Sequence, residues 1–230
     1  AAPPAGPVIL NRFIRAVGGE AAIRDIEAMH ARGRIIMPGE ATSGDFEWWV
    51  ADGDRCRFVM TFPGLGSSQF GSDGSHGWEV LTLDGQTQAS TLTLEQVSVR
   101  RGQANWFELA LTIPKRARTF ETIGPAEFDG HEVWEVKMVD SDQRVQHLFF
   151  DQQSHLLHGV RMDDAAPANV TIRFQNWKPV GPLRLFRVVS IDHAGVRLQM
   201  NFDEIHLDPV SPEVFMKPAD APTQHTEPKE

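Results

Sequence analysis

The fold is decided by residues 45–62, DFEWWVADGDRCRFVMTF. Apolar side chains recur there at every second position on both sides of Asp52-Gly53: Phe46, Trp48 and Val50 before the dipeptide, and Cys56, Phe58, Met60 and Phe62 after it. An alternation of period two gives a strand one apolar and one polar face, and Asp-Gly favours a tight turn. The stretch therefore predicts a β-hairpin with one buried face.

The same alternation continues on both sides of this hairpin. It predicts further strands near residues 32–37, 68–72, 76–83, 133–138, 144–151, 156–162, 169–177, 183–192 and 196–207. Strands that recur about every ten residues without intervening helices exclude a parallel, doubly wound fold. So many strands strain an open sheet and make it curl. The expected class is mainly β with α: a single large curved antiparallel sheet, an unclosed β-barrel of about 10–11 strands.

Three segments have helical periodicity instead. The first carries Ile9, Phe13 and Val17 and ends at Gly18-Gly19, the second runs from Glu20 to about Met29, and the third from about Leu94 to Leu111. Glycine after the last apolar residue is typical of a helix C-terminus. These helices are the internal candidates for covering the concave apolar face. We expect one domain over residues 1–217 and a flexible, polar, Pro-rich tail over 218–230.

Composition and charge narrow the classes of partner. The 230 residues carry 22 basic and 31 acidic side chains, a net charge of −9, and no basic block. Duplex nucleic acid would repel such a chain, and no apolar run is long enough for a transmembrane helix. The start, Ala1-Ala2-Pro3-Pro4, is typical of a chain released from a secretory signal, although a trimmed chain would look the same. We expect an exported, periplasmic protein without a transmembrane segment.

The sequence contains no catalytic motif: no nucleophile elbow, zinc-protease motif or phosphate-binding glycine loop. We interpret His76, His131, His155 and His158 as separate surface residues, and the acidic pairs Asp163-Asp164 and Asp203-Glu204 as solvated charge. Cys56 lies in the inward phase of its strand and is expected to be an inert buried thiol. We therefore predict no catalytic residue, no metal ligand and no cofactor.

Several short signatures resemble the periplasmic lipoprotein-carrier superfamily, the LolA/LolB-like outer-membrane lipoprotein-sorting proteins. They are Ala16-Val17-Gly18-Gly19-Glu20-Ala21, Ala31-Arg32-Gly33-Arg34, Asp73-Gly74-Ser75-His76-Gly77-Trp78, Gly124-Pro125-Ala126-Glu127-Phe128-Asp129-Gly130, Leu148-Phe149-Phe150-Asp151, Trp177-Lys178-Pro179-Val180-Gly181-Pro182 and Phe215-Met216-Lys217-Pro218. The resemblance covers nearly the whole chain and implies an unclosed barrel of about eleven antiparallel strands, lidded by helices, with an apolar cavity for acyl chains. It assigns no individual ligand-contact residue.

Strand phase supplies candidate residues for such a cavity. The large apolar side chains predicted to face inward are Phe46, Trp48, Phe58, Met60, Phe62, Trp134, Met138, Phe174, Met200 and Phe202. The leading hypothesis is an exported carrier or sensor that binds a lipid, an acyl chain or a lipoprotein. One alternative is an envelope protein-interaction module with a dry core, and a less favoured one is a small-molecule enzyme that uses the same cavity.

Overall fold

A computed structural model describes residues 2–37, 42–104, 113, 117–140, 143–162, 169–219 and 221. Helices and strands follow in the order α1 (Gly6–Ala16), α2 (Glu20–Arg24), β1 (Ala28–Met37), β2 (Thr42–Ala51), β3 (Arg55–Phe62), β4 (Gly66–Asp73), β5 (Gly77–Leu83), β6 (Gln86–Leu92), α3 (Leu94–Ala104), β7 (Ala117–Phe128), β8 (His131–Asp140), β9 (Val145–Asp151), β10 (Leu157–Met162), β11 (Val170–Gln175), β12 (Lys178–Val180), β13 (Leu183–Leu185), β14 (Val188–His193) and β15 (Val196–His206). A 3-10 turn, Pro212–Phe215, follows the last strand.

Thirteen of these strands form one antiparallel sheet in the order β6-β5-β4-β3-β2-β1-β15-β14-β11-β10-β9-β8-β7. The sheet is not closed, because β6 and β7 are its two edges, and β12 and β13 form a separate two-stranded pair. This confirms the predicted class. The sheet of the described residues is larger than expected partly because the sequence did not indicate β6. That strand, Gln86–Leu92, is polar and largely exposed, so it lacks the apolar alternation of a buried strand.

The chain divides into two compact units. The first comprises the described residues of Ala1–Asp25, Met37–Glu40 and Phe107–Asn201, and the second those of Ile26–Ile36, Ala41–Trp106 and Phe202–Glu230. The single domain expected over 1–217 stays a prediction. Most of the expected tail, residues 220 and 222–230, lies outside the described part of the chain.

Two helices have clear local causes. In α1, Pro7 lies at the first turn, where its missing N–H costs nothing, and Ile9 and Phe13 are buried along one side. In α3, the Thr93 backbone N–H donates to Gln96 Oε1 and the Gln96 N–H donates to Thr93 Oγ1, at 2.8 and 3.2 Å. This reciprocal pair is a capping box, and it fixes the start of the helix.

Two predicted boundaries are wrong. The helix expected from Glu20 to about Met29 ends at Arg24, since strand β1 begins at Ala28 and takes that backbone into the sheet. The strand expected over 183–192 is two strands, because β13 pairs with β12 while β14 pairs with β11. Of the helix expected over 94–111, α3 ends at Ala104 and residues 105–111 lie outside the described part of the chain.

Candidate functional site

The hairpin that predicts the fold supplies the apolar face of the second unit, defined here as the face carrying the even-numbered residues of β2, β3 and β4. Asp52-Gly53 joins β2 to β3, and the register places Trp48 opposite Phe58 and Phe46 opposite Met60. The ring centroids of Trp48 and Phe58 are 6.1 Å apart in an edge-to-face arrangement, and those of Phe46 and Phe202 are 5.0 Å apart. Such tilted contacts are the favoured geometry of aromatic pairs, so these rings pack as core.

Helix α3 covers part of this face. Val97 packs in one buried cluster with Cys56 and Leu92, and Phe70 lies half-buried against it. Arg100 forms an ion pair with Glu79 and its guanidinium lies over the Phe70 ring, 5.8 Å from the centroid. Cys56 is 1% exposed, as its strand phase predicts.

Beyond α3, the described residues of the second unit's apolar face are half-buried or exposed. Two cross-strand rows continue it over β3, β4 and β5: Met60–Ser68–Leu81 and Phe62–Gly66–Leu83. Met60 and Phe62 are half-buried, whereas Leu81 and Leu83 are 36% and 51% exposed. We call Met60, Phe62, Leu81 and Leu83 the open rows. They present partly exposed apolar side chains on either side of Ser68 and Gly66, at the border of a closed aromatic core.

Gly66 is required within the second row, between Phe62 and Leu83. Its φ is +146°, and a Cβ built on it would lie 2.0 Å from the Thr82 carbonyl oxygen. Only a residue without a side chain allows this close approach of two strands. The open rows are therefore flat at Gly66, and Phe62 and Leu83 flank the flat point.

The apolar face of the first unit is the face that carries Trp134 and Met138 on β8. Met138 and Phe174 are 2% and 1% exposed, Met200 is buried and Trp134 is half-buried. Helix α1 covers this face through Phe13, whose ring centroid is 5.5 Å from that of Phe150. The Phe174 ring packs against Phe186 at 5.1 Å, and Phe186 packs against Trp177 at 5.4 Å.

All ten candidate cavity residues lie in the described part of the chain. Seven are buried among the protein's own side chains: Phe46, Trp48, Phe58, Met138, Phe174, Met200 and Phe202. Three are half-buried: Met60, Phe62 and Trp134. The half-buried residues have surface to offer a ligand without displacement of the core. Their role in binding stays a prediction.

Sequence reasoning missed Leu81 and Leu83 as members of the site. The signal was present, because both fall in one phase of the predicted strand 76–83, and the turns before and after β4 together fix their register with Met60 and Phe62. Leu65, at the tip of that turn, is 55% exposed.

The opposite face of the second unit is covered by the C-terminal 3-10 turn. Phe215 is fully buried there with Ala28 and Ala51, and its carbonyl oxygen accepts a hydrogen bond from Trp78 Nε1 at 3.1 Å.

His30 stacks on Trp49 with an angle of 1° between the ring planes. Burial lowers the pKa of His30 below its ordinary value, although nearby Glu47 acts in the opposite direction. His30 is thus held toward its neutral form.

Of the two acidic pairs, Asp203-Glu204 forms ion pairs on the surface. Asp203 and Glu204 point to different arginines of β1: Arg34 Nε lies 3.6 Å from Asp203, and Arg32 Nη2 donates to Glu204 at 2.5 Å. All four side chains are largely exposed, so this supports solvated charge over acid–base chemistry. Asp163-Asp164 lies outside the described residues.

Two solved structures share this architecture. A DUF1329 family protein from Desulfovibrio piger superposes with a TM-score of 0.61 at 10% identity, over 92% of this chain and 97% of its own. A LolA superfamily protein from Nitrosomonas europaea does so with a TM-score of 0.56 at 10% identity, over 94% and 99%. The chain has a LolA-like fold. No protein-family model and no curated protein sequence matches it.

The LolA-like fold confirms the resemblance that the short sequence signatures suggested. At 10% identity the likeness concerns the fold alone, so no ligand contact passes from either structure to a residue of this chain. Within the described residues, none of the helices has the length and apolar character needed to traverse a bilayer.

Proposed function

We propose that the protein is an exported, periplasmic carrier or sensor that binds a lipid, an acyl chain or a lipoprotein on the apolar face of the second unit. The observation that carries the proposal is the pair of open rows, in which Met60, Phe62, Leu81 and Leu83 continue the aromatic core as partly exposed apolar surface. The LolA-like fold supports the same proposal.

The energetics suit reversible binding. Transfer of each CH₂ group from water is worth about 0.8 kcal/mol, so a ~16-carbon chain gains on the order of 12 kcal/mol before costs. Lost motion of ligand and side chains removes a large part of this gain. Met60 favours an adaptable contact, because a methionine side chain is flexible and polarisable.

The test is displacement of a fluorescent fatty acid from the purified full chain, with Leu83→Asp as the variant. Leu83 is 51% exposed, so the carboxylate remains hydrated in the free protein and folding is preserved. A bound acyl chain would have to desolvate it. We expect an affinity at least about tenfold weaker than that of the wild type.

Ile123→Asp is the matched control. Ile123 is 53% exposed on β7 in the first unit, so the substitution changes charge and exposure in the same way at a different place. We expect its affinity to stay within about twofold of the wild type. Equal losses in both variants would mean that negative charge alone weakens binding, and the proposal for the open rows would be wrong.

Lipid-binding and turnover measurements on the wild-type chain separate the other two functions. A wild-type chain that binds no fatty acid and no phospholipid, and carries no lipid mass in native mass spectrometry, would favour an envelope protein-interaction module with a dry core. Turnover of a bound ligand that disappears on substitution of one polar residue would favour an enzyme.

A further inference from the structure

Two histidines and a carboxylate that are far apart in the sequence meet on the first unit, on the face opposite its apolar face. His131 begins β8, Asp151 ends β9 and His158 lies on β10. One ligand atom from each of the three lies within 4.8 Å of the other two. This cluster belongs to the first unit and does not depend on the proposed function.

The local backbone explains why these residues meet. Val133 pairs with Asp151, so His131, two residues earlier on β8, lies on the same side of the sheet as Asp151. The register between β9 and β10 shifts between Leu157 and Gly159, which leaves His158 as the extra residue of a β-bulge. A bulge re-aims a side chain, and here it adds His158 to the side that carries Gly159 and Asp151.

One carboxylate oxygen of Asp151 accepts hydrogen bonds from the following turn, and the other faces the rings of His131 and His158. Its Oδ1 accepts hydrogen bonds from the backbone N–H groups of Gln153 and Ser154 and from Ser154 Oγ, at 3.0, 2.6 and 2.8 Å. Its Oδ2 lies 3.7 Å from His131 Nδ1 and 3.8 Å from His158 Nε2. These separations are longer than hydrogen bonds, and the ring centroids of His131 and His158 lie 4.0 Å apart.

The surroundings make the cluster rigid on one side and accessible on the other. The Gln152 backbone N–H donates to the Glu132 carbonyl and Gln152 Nε2 donates to the Val133 carbonyl, both at 3.0 Å, which fastens the turn after β9 to β8. The side chains of Asp151 and His158 are 13% and 15% exposed, whereas that of His131 is 49% exposed. An ion can reach the cluster past His131.

We propose that His131, Asp151 and His158 form a binding site for a divalent transition-metal ion of the zinc class. Two imidazoles and one carboxylate are a common three-ligand set that leaves a further position for water or another ligand. Ligand atoms about 2.1 Å from a tetrahedral Zn²⁺ lie about 3.4 Å apart, so each Asp151–histidine pair needs to close by about 0.3–0.4 Å. The two histidine nitrogens, which lie within 4.8 Å of each other, need to close by up to about 1.4 Å. Rotation of the exposed His131 ring changes its distances to Asp151 and His158, and rotation of the His158 ring adjusts the third distance. The sequence-based expectation of no metal ligand treated these histidines as separate, and here the structure brings them together.

The test is competition of Zn²⁺ against a chromophoric chelator, using the full chain without a polyhistidine tag. We expect one ion per chain with a micromolar or tighter Kd. His131→Ala and Asp151→Asn each weaken it by at least about tenfold. Asp151→Asn keeps an Oδ1 acceptor for the turn while removing the negative charge. Mg²⁺ in excess leaves Zn²⁺ binding unchanged, because imidazole ligands select transition metals over magnesium.

Two variants serve as controls, His193→Ala and His155→Asn. His193 is an exposed histidine of β14, and His155 lies in the turn after β9 with φ +62°, which asparagine tolerates. We expect both to bind Zn²⁺ within twofold of the wild type. The assignment is wrong if the wild type has no micromolar site, if His131→Ala and Asp151→Asn bind as tightly as the wild type, or if the controls lose as much affinity as they do.

Discussion

The two faces of the first unit differ in chemistry along the same strands, although the face that carries Arg173 also buries Phe149 against Phe128. On β11, Phe174 is 1% exposed against Phe186, while its neighbour Arg173 points to the other side and forms ion pairs with Asp129 and Asp192. Strand geometry enforces this division, because successive side chains alternate between faces. The comparison teaches that one face of the sheet supplies the packed core of the unit while the other face carries its ion pairs. Stability should depend mainly on the apolar face, and each substitution below tests that division.

The largest expected effect is on the apolar face. Phe174→Ala removes a buried ring from its contact with Phe186 and leaves a cavity, so we expect a loss of about 3–5 kcal/mol in the free energy of unfolding. Chemical denaturation measures it. On the same strand but on the opposite face, Thr171→Ala should cost about 0.5 kcal/mol or less. Equal costs would contradict the assignment of the core to one face.

A medium loss of stability is expected on substitution of Gly159, which lies beside the β-bulge on the face opposite the apolar face of the first unit. A Cβ there would lie 2.3 Å from Phe128 Cε1, and Phe128 in turn stacks on Phe149 with the ring centroids 4.2 Å apart. Gly159→Ala must displace Phe128, so we expect a loss of about 1–3 kcal/mol.

The control for Gly159 is the double variant Gly159→Ala with Phe128→Ala. We compare the loss in the free energy of unfolding caused by Gly159→Ala in two backgrounds, the wild type and Phe128→Ala. The loss should be smaller in the Phe128→Ala background, because the ring that the new methyl group displaces is absent there. An unchanged cost would show that Phe128 does not occupy the space over Gly159.

A smaller, pH-dependent effect is expected at Asp192 on the polar face. A hydrogen bond from Arg197 lowers the pKa of Asp192 below its ordinary value of 3.8, with burial opposing the shift and Arg173 adding to it. Because the folded pKa is lowered, this stabilisation is present above 3.8 and is lost as the pH falls through the folded pKa.

Asp192→Asn should therefore cost about 1 kcal/mol at pH 7, after allowance for solvent screening, and progressively less below pH 3.8. Denaturation curves at several pH values measure the difference. Glu132→Gln, at an exposed position of β8, is the control and should cost about 0.5 kcal/mol or less at pH 7. A constant deficit for Asp192→Asn at all pH values would contradict the ionic origin of the effect.

The alternation of residues 45–62 is sufficient to predict the hairpin, the side of the sheet on which its apolar residues lie and the antiparallel class. It could not predict which inward side chains are enclosed, because the exposure of Met60 or Trp134 depends on distant segments. It also could not predict that the side chains of His131 and His158 lie next to each other. Regular alternation places Val160 and His158 on one face, and only the bulge at His158 reverses that position.

The most direct measurement of the central claim uses methionine methyl NMR with a spin-labelled fatty acid. Met60 lies half-buried in the open rows, and Met216 lies 56% exposed beyond the 3-10 turn, so non-specific encounters would affect Met216 more strongly. If the apolar face of the second unit binds acyl chains, the Met60 methyl signal broadens saturably at low ligand concentration and the Met216 signal does not. Broadening of Met216 with an unaffected Met60 would contradict the account.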